Sequence, residues 1–321
     1  MKGNYQDLSS GNHIATKLCC PVTHKKLARI GNFLVSDDGK YNYQISDSGI
    51  PLFAEHFLSD ESKRQKLHYD KVAKQYVENL SYPHTIEYLR YLDDEFKKQV
   101  ILNNDEVAEL CCGHGELLTF FSKSEVNGIG VDISVNMLEF ARKKHSDADS
   151  FIFIQGDAVN LPIQNESITK LFIFGGVHHV PDRKALFSEI FRVLKPGGKF
   201  YFREPVSDFL LWRLLRSIIY YLSPALDEKT ERPLLWCETV PVLENIGFEL
   251  TSWKTYGFLG FCFFMNSDVL IFNRYFRYIP GIRYITKIAT IFDRLVLKIP
   301  FLSRSGLQVI GVFTKPSRQK L

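Results

Sequence analysis

The stretch Glu106-Val-Ala-Glu-Leu-Cys-Cys-Gly-His-Gly-Glu116, continued by Gly128-Ile-Gly-Val-Asp132, decides how this chain is read. Val107 to Leu110 is a short apolar run of the kind that makes a buried strand. Gly113 and Gly115 follow at once, where the chain must turn sharply and a ligand can approach the backbone. Glu116 to Ser124 reads as a helix whose N-terminus faces that turn. A second strand, Gly128 to Val131, ends on Asp132, and a carboxylate about 20 residues past the first glycine can accept both hydroxyls of a ribose. A Gly-x-Gly turn by itself also serves ordinary strand-to-helix connections. The third glycine of the dinucleotide fingerprint is absent, with Leu118 in its place, and that glycine is what lets a helix end pack tightly under a pyrophosphate. A ligand with a ribose and no pyrophosphate fits better than NAD or FAD.

Outward from this stretch, residues 106–205 alternate between strand and helix patterns. Strands are expected at 106–110, 127–131, 151–155, 169–174 and 199–203, with helices between them, notably 136–144 and 183–194. Such alternation implies a parallel sheet with helices on both faces, right-handed crossovers, and a ligand beyond the carboxyl ends of the strands. Gly113, Asp132, Asp157 and Gly175 all fall at such ends.

The segment Glu109-Leu-Cys-Cys-Gly-His-Gly115 resembles motif I of the class I S-adenosylmethionine-dependent methyltransferases. Gly156-Asp-Ala158 is similar to the adenine-contacting segment of that family. His178-His-Val-Pro-Asp182 and Leu194-Lys-Pro-Gly-Gly-Lys-Phe200 resemble its ubiquinone-type branch. The resemblance covers roughly Tyr69 to Pro205. It implies an α/β, Rossmann-like, doubly wound seven-stranded sheet and S-adenosyl-L-methionine as cofactor. The cofactor would be held by Glu109, Cys111, Gly113, Gly115, Asp132, Ile133, Met137, Asp157, Ala158 and Gly175. Tyr76, with Tyr69 second, would reach the methionine end from the lead-in helix, against the alternative of ordinary helix packing. Cys111 departs from the family by replacing the first glycine of motif I, which puts binding of the methionine moiety in question.

The 321 residues divide into three parts by pattern: 1–54 as a small β-rich unit, 55–205 as the cofactor-binding core, and 206–321 as a C-terminal completion with a helical cap. The first unit has short alternating runs separated by Asp38-Gly39 and Asp47-Ser-Gly49. It resembles a zinc-ribbon-like activator module of tRNA methyltransferases, yet Thr23 stands where a second cysteine is needed and no cysteine follows Cys20 until Cys111. No metal is expected there; Cys20 is expected in the core. Two adjacent cysteine pairs and two single cysteines make no disulfide framework, which suits reduced thiols and a cytoplasmic location. Residues 1–15 are polar, with no leader-type apolar run, and no stretch is long enough to span a bilayer. A net charge of only +4 gives no global nucleic-acid signal. The resemblance implies a sheet that ends with an antiparallel pair, which 248–253 and 307–313 in the C-terminal part would supply. Residues 206–235 and 256–306 then lie over the substrate side.

Methyl transfer is an in-line displacement in which the protein mainly positions and desolvates the acceptor. His178 and His179 are candidates for the base that deprotonates a nitrogen or oxygen acceptor, against a loop-packing role. Glu204 is a candidate for orienting the acceptor, against capping of the following helix. The favoured reading is methyl transfer to a small, hydrophobic or lipid-linked acceptor. The alternatives are a tRNA or protein methyltransferase, which the absence of an Asn/Asp-Pro-Pro-Tyr motif disfavours, and a binding protein without catalysis. Between Val269 and Lys320 there are ten Lys or Arg and one acid, Asp293. That segment is expected to rest on an anionic membrane surface on the inner face, against the alternative of a lid with solvated charges.

Overall fold

A computed structural model describes residues 13–54, 63–64, 66–67, 80–100, 102, 105–121, 127–148, 150–222, 232–265 and 271–317. Tyr69, Tyr76 and residues 1–12 lie outside these. The central sheet has seven strands: β4 (Glu106–Leu110), β5 (Asn127–Asp132), β6 (Phe151–Gln155), β7 (Ile168–Phe174), β8 (Leu194–Pro205), β9 (Glu249–Tyr256) and β10 (Gln308–Thr314). Their spatial order is β6-β5-β4-β7-β8-β10-β9. The first five strands run parallel, and β10 lies antiparallel between β8 and β9. The order reverses beside β4, so the carboxyl ends of β4, β5 and β7 open a crevice there. The parallel set is the one the residue pattern implies, and the antiparallel closing pair is the one the family resemblance implies. β8 starts five residues earlier than the expected 199, because Leu194 pairs with Ile168 before a register shift near Lys170.

The helices that clothe the sheet are α1 (Pro83–Lys97), α2 (Leu117–Phe120), α3 (Val135–Lys144), α4 (Arg183–Val193), α5 (Leu210–Leu222), α6 (Trp236–Ile246), α7 (Leu259–Phe264) and α8 (Ile282–Val296). Ser134 caps α3 by accepting from the Met137 amide at 3.3 Å, and Asp182 caps α4 by accepting from Ala185 at 2.9 Å; both satisfy first-turn donors that a helix leaves open. One face of the sheet packs Leu186, Phe187 and Ile190 of α4 with Val240 and Leu243 of α6; the other packs Phe96, Phe120, Leu138 and Ala141. Helix α1 buries one face. Tyr88, Tyr91, Leu92 and Phe96 recur at helical spacing and are buried, facing Phe261, Phe264 and Ile282 of the cap or the sheet.

The N-terminal residues form an antiparallel meander of β1 (Leu27–Ile30), β2 (Phe33–Ser36) and β3 (Asn42–Gln44). Cys20 is fully buried, its Sγ 3.1 Å from the Tyr43 hydroxyl and accepting from the Thr23 amide. The meander is seated on the cofactor-side loop after β6. Phe53 donates to the Gln155 carbonyl at 2.9 Å, Gln155 to Pro51 at 2.9 Å, and Cys19 to Pro162 at 3.0 Å. Leu18, Leu34 and Phe53 share one core with Ala158, Leu161 and Ile163.

Candidate active site

The glycine turn is built from three left-handed residues, Cys111 (φ 51°), Gly113 (φ 50°) and Gly115 (φ 78°). A Cβ on Gly115 would lie 2.9 Å from the His145 ring. Asp132, at the end of β5 and 8% exposed, fastens this turn: Oδ2 accepts from the Gly113 amide at 2.8 Å and Oδ1 from Ser134 at 2.9 Å. A carboxylate so fixed at a strand's carboxyl end suits ribose hydroxyls. Glu109 is 1% exposed. Its Oε1 accepts from the Glu116 and Leu117 amides, each at 3.1 Å, and so caps the short helix α2. Burial holds its carboxyl well above the usual range, with Glu116 adding to the effect.

Cys111 occupies a conformation that L side chains adopt only at a cost of about 1–2 kcal/mol. Its room comes from Gly176, where a Cβ would fall 2.5 Å from the Cys111 Cβ and 2.8 Å from its Sγ. Burial raises the Cys111 thiol far above its ordinary range, and the Asp132 carboxylate adds to this, so it is packed and protonated, not a thiolate. Around it, Ile133 and Met137 follow Asp132, Met137 being buried with Cε 3.2 Å from where a Cβ on Gly113 would sit. Asp157 accepts from the Val159 amide at 3.1 Å, and Ala158 is buried beneath it. Gly175, exposed with φ 66°, ends β7. The backbone elements thus bring Cys111, Gly113, Asp132, Ile133, Asp157 and Gly175 to one edge of the sheet.

The expectation that Glu204 orients an acceptor is corrected by its burial. It is 0% exposed and lies beneath the loop after β7. Oε1 accepts from the Gly176 and Val177 amides at 2.7 and 2.8 Å, and Oε2 receives the His178 amide at 3.4 Å and lies 2.8 Å from His178 Nδ1. Capping of the helix after β8 is not its role either. Burial pushes its carboxyl up to about 7 against the pull of those amides. The His178 and His179 rings lie with centroids 3.8 Å apart and their planes tilted by 40°. His178 also lines a cavity of about 180 Å³ with Val180, Arg183, Phe187, Arg232 and Thr239.

Arg203, next to Glu204, points to the opposite face of the sheet, as strand alternation requires. Only 7% exposed, it pairs with Asp93 of α1 at 2.6 Å and with Glu116 of the glycine turn, and its guanidinium lies 5.7 Å and 5.4 Å from the Phe120 and Phe174 ring centroids. Sequence reading passed over this residue. Its one signal was the pair of adjacent charges Arg203-Glu204 closing an apolar strand, where two unpartnered charges would be too costly to bury.

Among the described residues, no group of three or more His, Cys, Asp or Glu could hold a metal ion, and no helix is long and apolar enough to cross a membrane.

Residues 108–202 match the family described as a methyltransferase domain. A demethylmenaquinone methyltransferase from Staphylococcus saprophyticus is 36% identical over 107 residues, covering 32% of this chain and 45% of that one. A ubiquinone/menaquinone biosynthesis C-methyltransferase from Campylobacter jejuni is 30% identical over 177 residues, covering 48% of this chain and 74% of that one. In the first three curated relatives the match spans 43–45% of their length. Among solved structures, an S-adenosylmethionine-dependent methyltransferase from Thermotoga maritima superposes with a TM-score of 0.51 at 19% identity, over 77% of this chain and 98% of that one. The strand order, the Asp132-fastened glycine turn and these matches agree: the chain belongs to the class I S-adenosylmethionine-dependent methyltransferases.

Proposed function

We propose that this protein transfers a methyl group from S-adenosylmethionine to a small, apolar, lipid-like acceptor at the carboxyl edge of β4, β5 and β7. The observation that carries the reading is Asp132, whose two carboxylate oxygens fix the Gly113 turn and the start of α3 together. The residues suit this cofactor: left-handed Gly113 and Gly115 let a ligand approach the backbone, Asp132 would hold the ribose, and Asp157 with Ala158 would flank the adenine. When bound, the cofactor supplies an electrophilic sulfonium methyl group. The chain's own task is to hold the acceptor in line and exclude water.

We assign proton transfer to His178: its Nδ1 lies 2.8 Å from Glu204 Oε2, and in the tautomer that donates Nδ1–H to that carboxylate, Nε2 would be the atom that takes a proton from the substrate. Glu204 is a positioning residue in this arrangement. An apolar acceptor is supported by the names of the quinone-type relatives and by the aromatic cap of Trp212, Phe258, Phe261 and Phe264 over α1.

The test is transfer of labelled methyl from S-adenosylmethionine into lipid extract, tRNA and protein, with label expected in the organic phase. Label in tRNA or protein alone would overturn the acceptor class. Asp132→Ala should weaken cofactor binding by about 1–3 kcal/mol through a lost charge-assisted bond, and equal affinity by titration calorimetry would remove Asp132 from the site.

A further inference from the structure

Helix α8 is inside out. Its buried side chains are Ile282, Thr286, Thr290 and Asp293, three of them polar. Its outward side carries Tyr284, Ile285, Ile288, Ile291, Phe292 and Leu295, with Tyr284 77% and Ile288 67% exposed. At about 100° per residue, these six fall within an arc of about 120°, and Arg283, Lys287 and Arg294 occupy the arc of about 40° between them and the buried face. The inversion is enforced from within. Asp293 is fully buried and accepts from the Tyr88 hydroxyl at 2.5 Å and from the Phe258, Gly260 and Phe261 amides at 2.8, 2.9 and 3.1 Å. Thr286 and Thr290 bond to carbonyls of their own helix at 2.8 Å each.

The surface continues beyond α8. Tyr275 and Tyr278 are each 69% exposed, and Phe301 is 93% exposed. Between 272 and 304 the chain carries seven cations, Arg274, Arg277, Arg283, Lys287, Arg294, Lys298 and Arg304, and one acid, the internally bonded Asp293. Contiguous exposed apolar area of this kind marks an interaction site, and its charge selects the partner.

We propose that this face docks on an anionic lipid bilayer. Helix α8 would lie in the interface plane, its six apolar side chains entering the acyl boundary and its cations level with the headgroups. A second copy of the chain suits the face poorly, because it would bring two sets of these cations together while the one acid between 272 and 304, Asp293, is buried and internally bonded. The proposal goes beyond methyl transfer and stands independently of it, since docking needs neither cofactor nor acceptor.

The test is flotation of the full-length protein with vesicles of phosphatidylcholine plus phosphatidylglycerol, and with phosphatidylcholine alone. The wild type should float with the anionic vesicles at low salt and progressively less as salt rises. Arg283→Gln with Lys287→Gln should lower partitioning about fivefold per cation. Ile288→Ser with Phe292→Ser and Leu295→Ser, all at exposed positions, should abolish flotation while leaving thermal unfolding unchanged. No flotation of the wild type at low salt, or flotation unaltered in both variants, overturns the proposal. So does a dimer in sedimentation that the serine variant dissociates and that ignores vesicles, which would give the face to a second copy.

Discussion

Glu204→Gln separates the stability of the loop after β7 from its chemistry. Burial lifts the Glu204 carboxyl from the usual 4.5 to about 7, so the folded state holds a proton that the unfolded chain has already released. Stability from this group is therefore complete below about pH 4.5 and is lost as pH rises to about 7; above that both states are ionised and the dependence ends. A difference of about 2.5 units corresponds to about 3 kcal/mol. Glutamine is neutral at every pH and can still accept from the Gly176 and Val177 amides through its carbonyl oxygen. The unfolding free energy of the variant relative to wild type should thus rise by about 3 kcal/mol between pH 4.5 and pH 8, measured by urea denaturation at each pH. Catalysis should move the other way. Without the carboxylate, His178 loses the partner that fixes its tautomer, so kcat falls while cofactor affinity, set at the β4–β5 edge, stays unchanged. Parallel pH dependences in the two proteins would refute the buried-carboxyl argument, and an unchanged kcat would remove His178 from the proton transfer.

Two further substitutions test the packing that shapes the site and the cap. Asp293→Ala strands three backbone amides and the Tyr88 hydroxyl in the interior; it should cost about 3–5 kcal/mol in urea denaturation, and a loss below about 1 kcal/mol would mean that α8 is held by something else. Gly176→Ala places a Cβ against Cys111 and should destabilise by about 1–3 kcal/mol in wild type but clearly less in Cys111→Gly, so strictly additive effects would deny that the two positions share their space.

The parallel strands were legible because each holds a short apolar run near turn residues, and the glycine turn and Asp132 because they are adjacent in sequence to the strands that aim them. What escaped sequence reading depends on partners far apart along the chain. Arg203 meets Asp93 and Glu116, and although the adjacent charges Arg203-Glu204 mark the strand end, nothing local names these partners. Residues 51–53 pair with Gln155, which makes the N-terminal meander part of the wall beside Asp157. Sequence could show that 282–296 has an apolar arc and a basic arc, but the usual rule turns the apolar arc inward. Asp293 reverses it, because four donors from α1 and the α7 turn converge on that carboxylate.

The alternation of β8 explains how two charges at its end can each be buried and useful. Glu204 faces the 176–179 loop and holds His178; Arg203 faces the other side and ties α1 to the glycine turn through Asp93 and Glu116. Helix α1 is also the helix whose Tyr88 receives α8, five residues before Asp93 and so about 7–8 Å along the axis. Helix α1 thus carries both anchors, Tyr88 for Asp293 of α8 and Asp93 for the Arg203 that also meets Glu116 of the glycine turn.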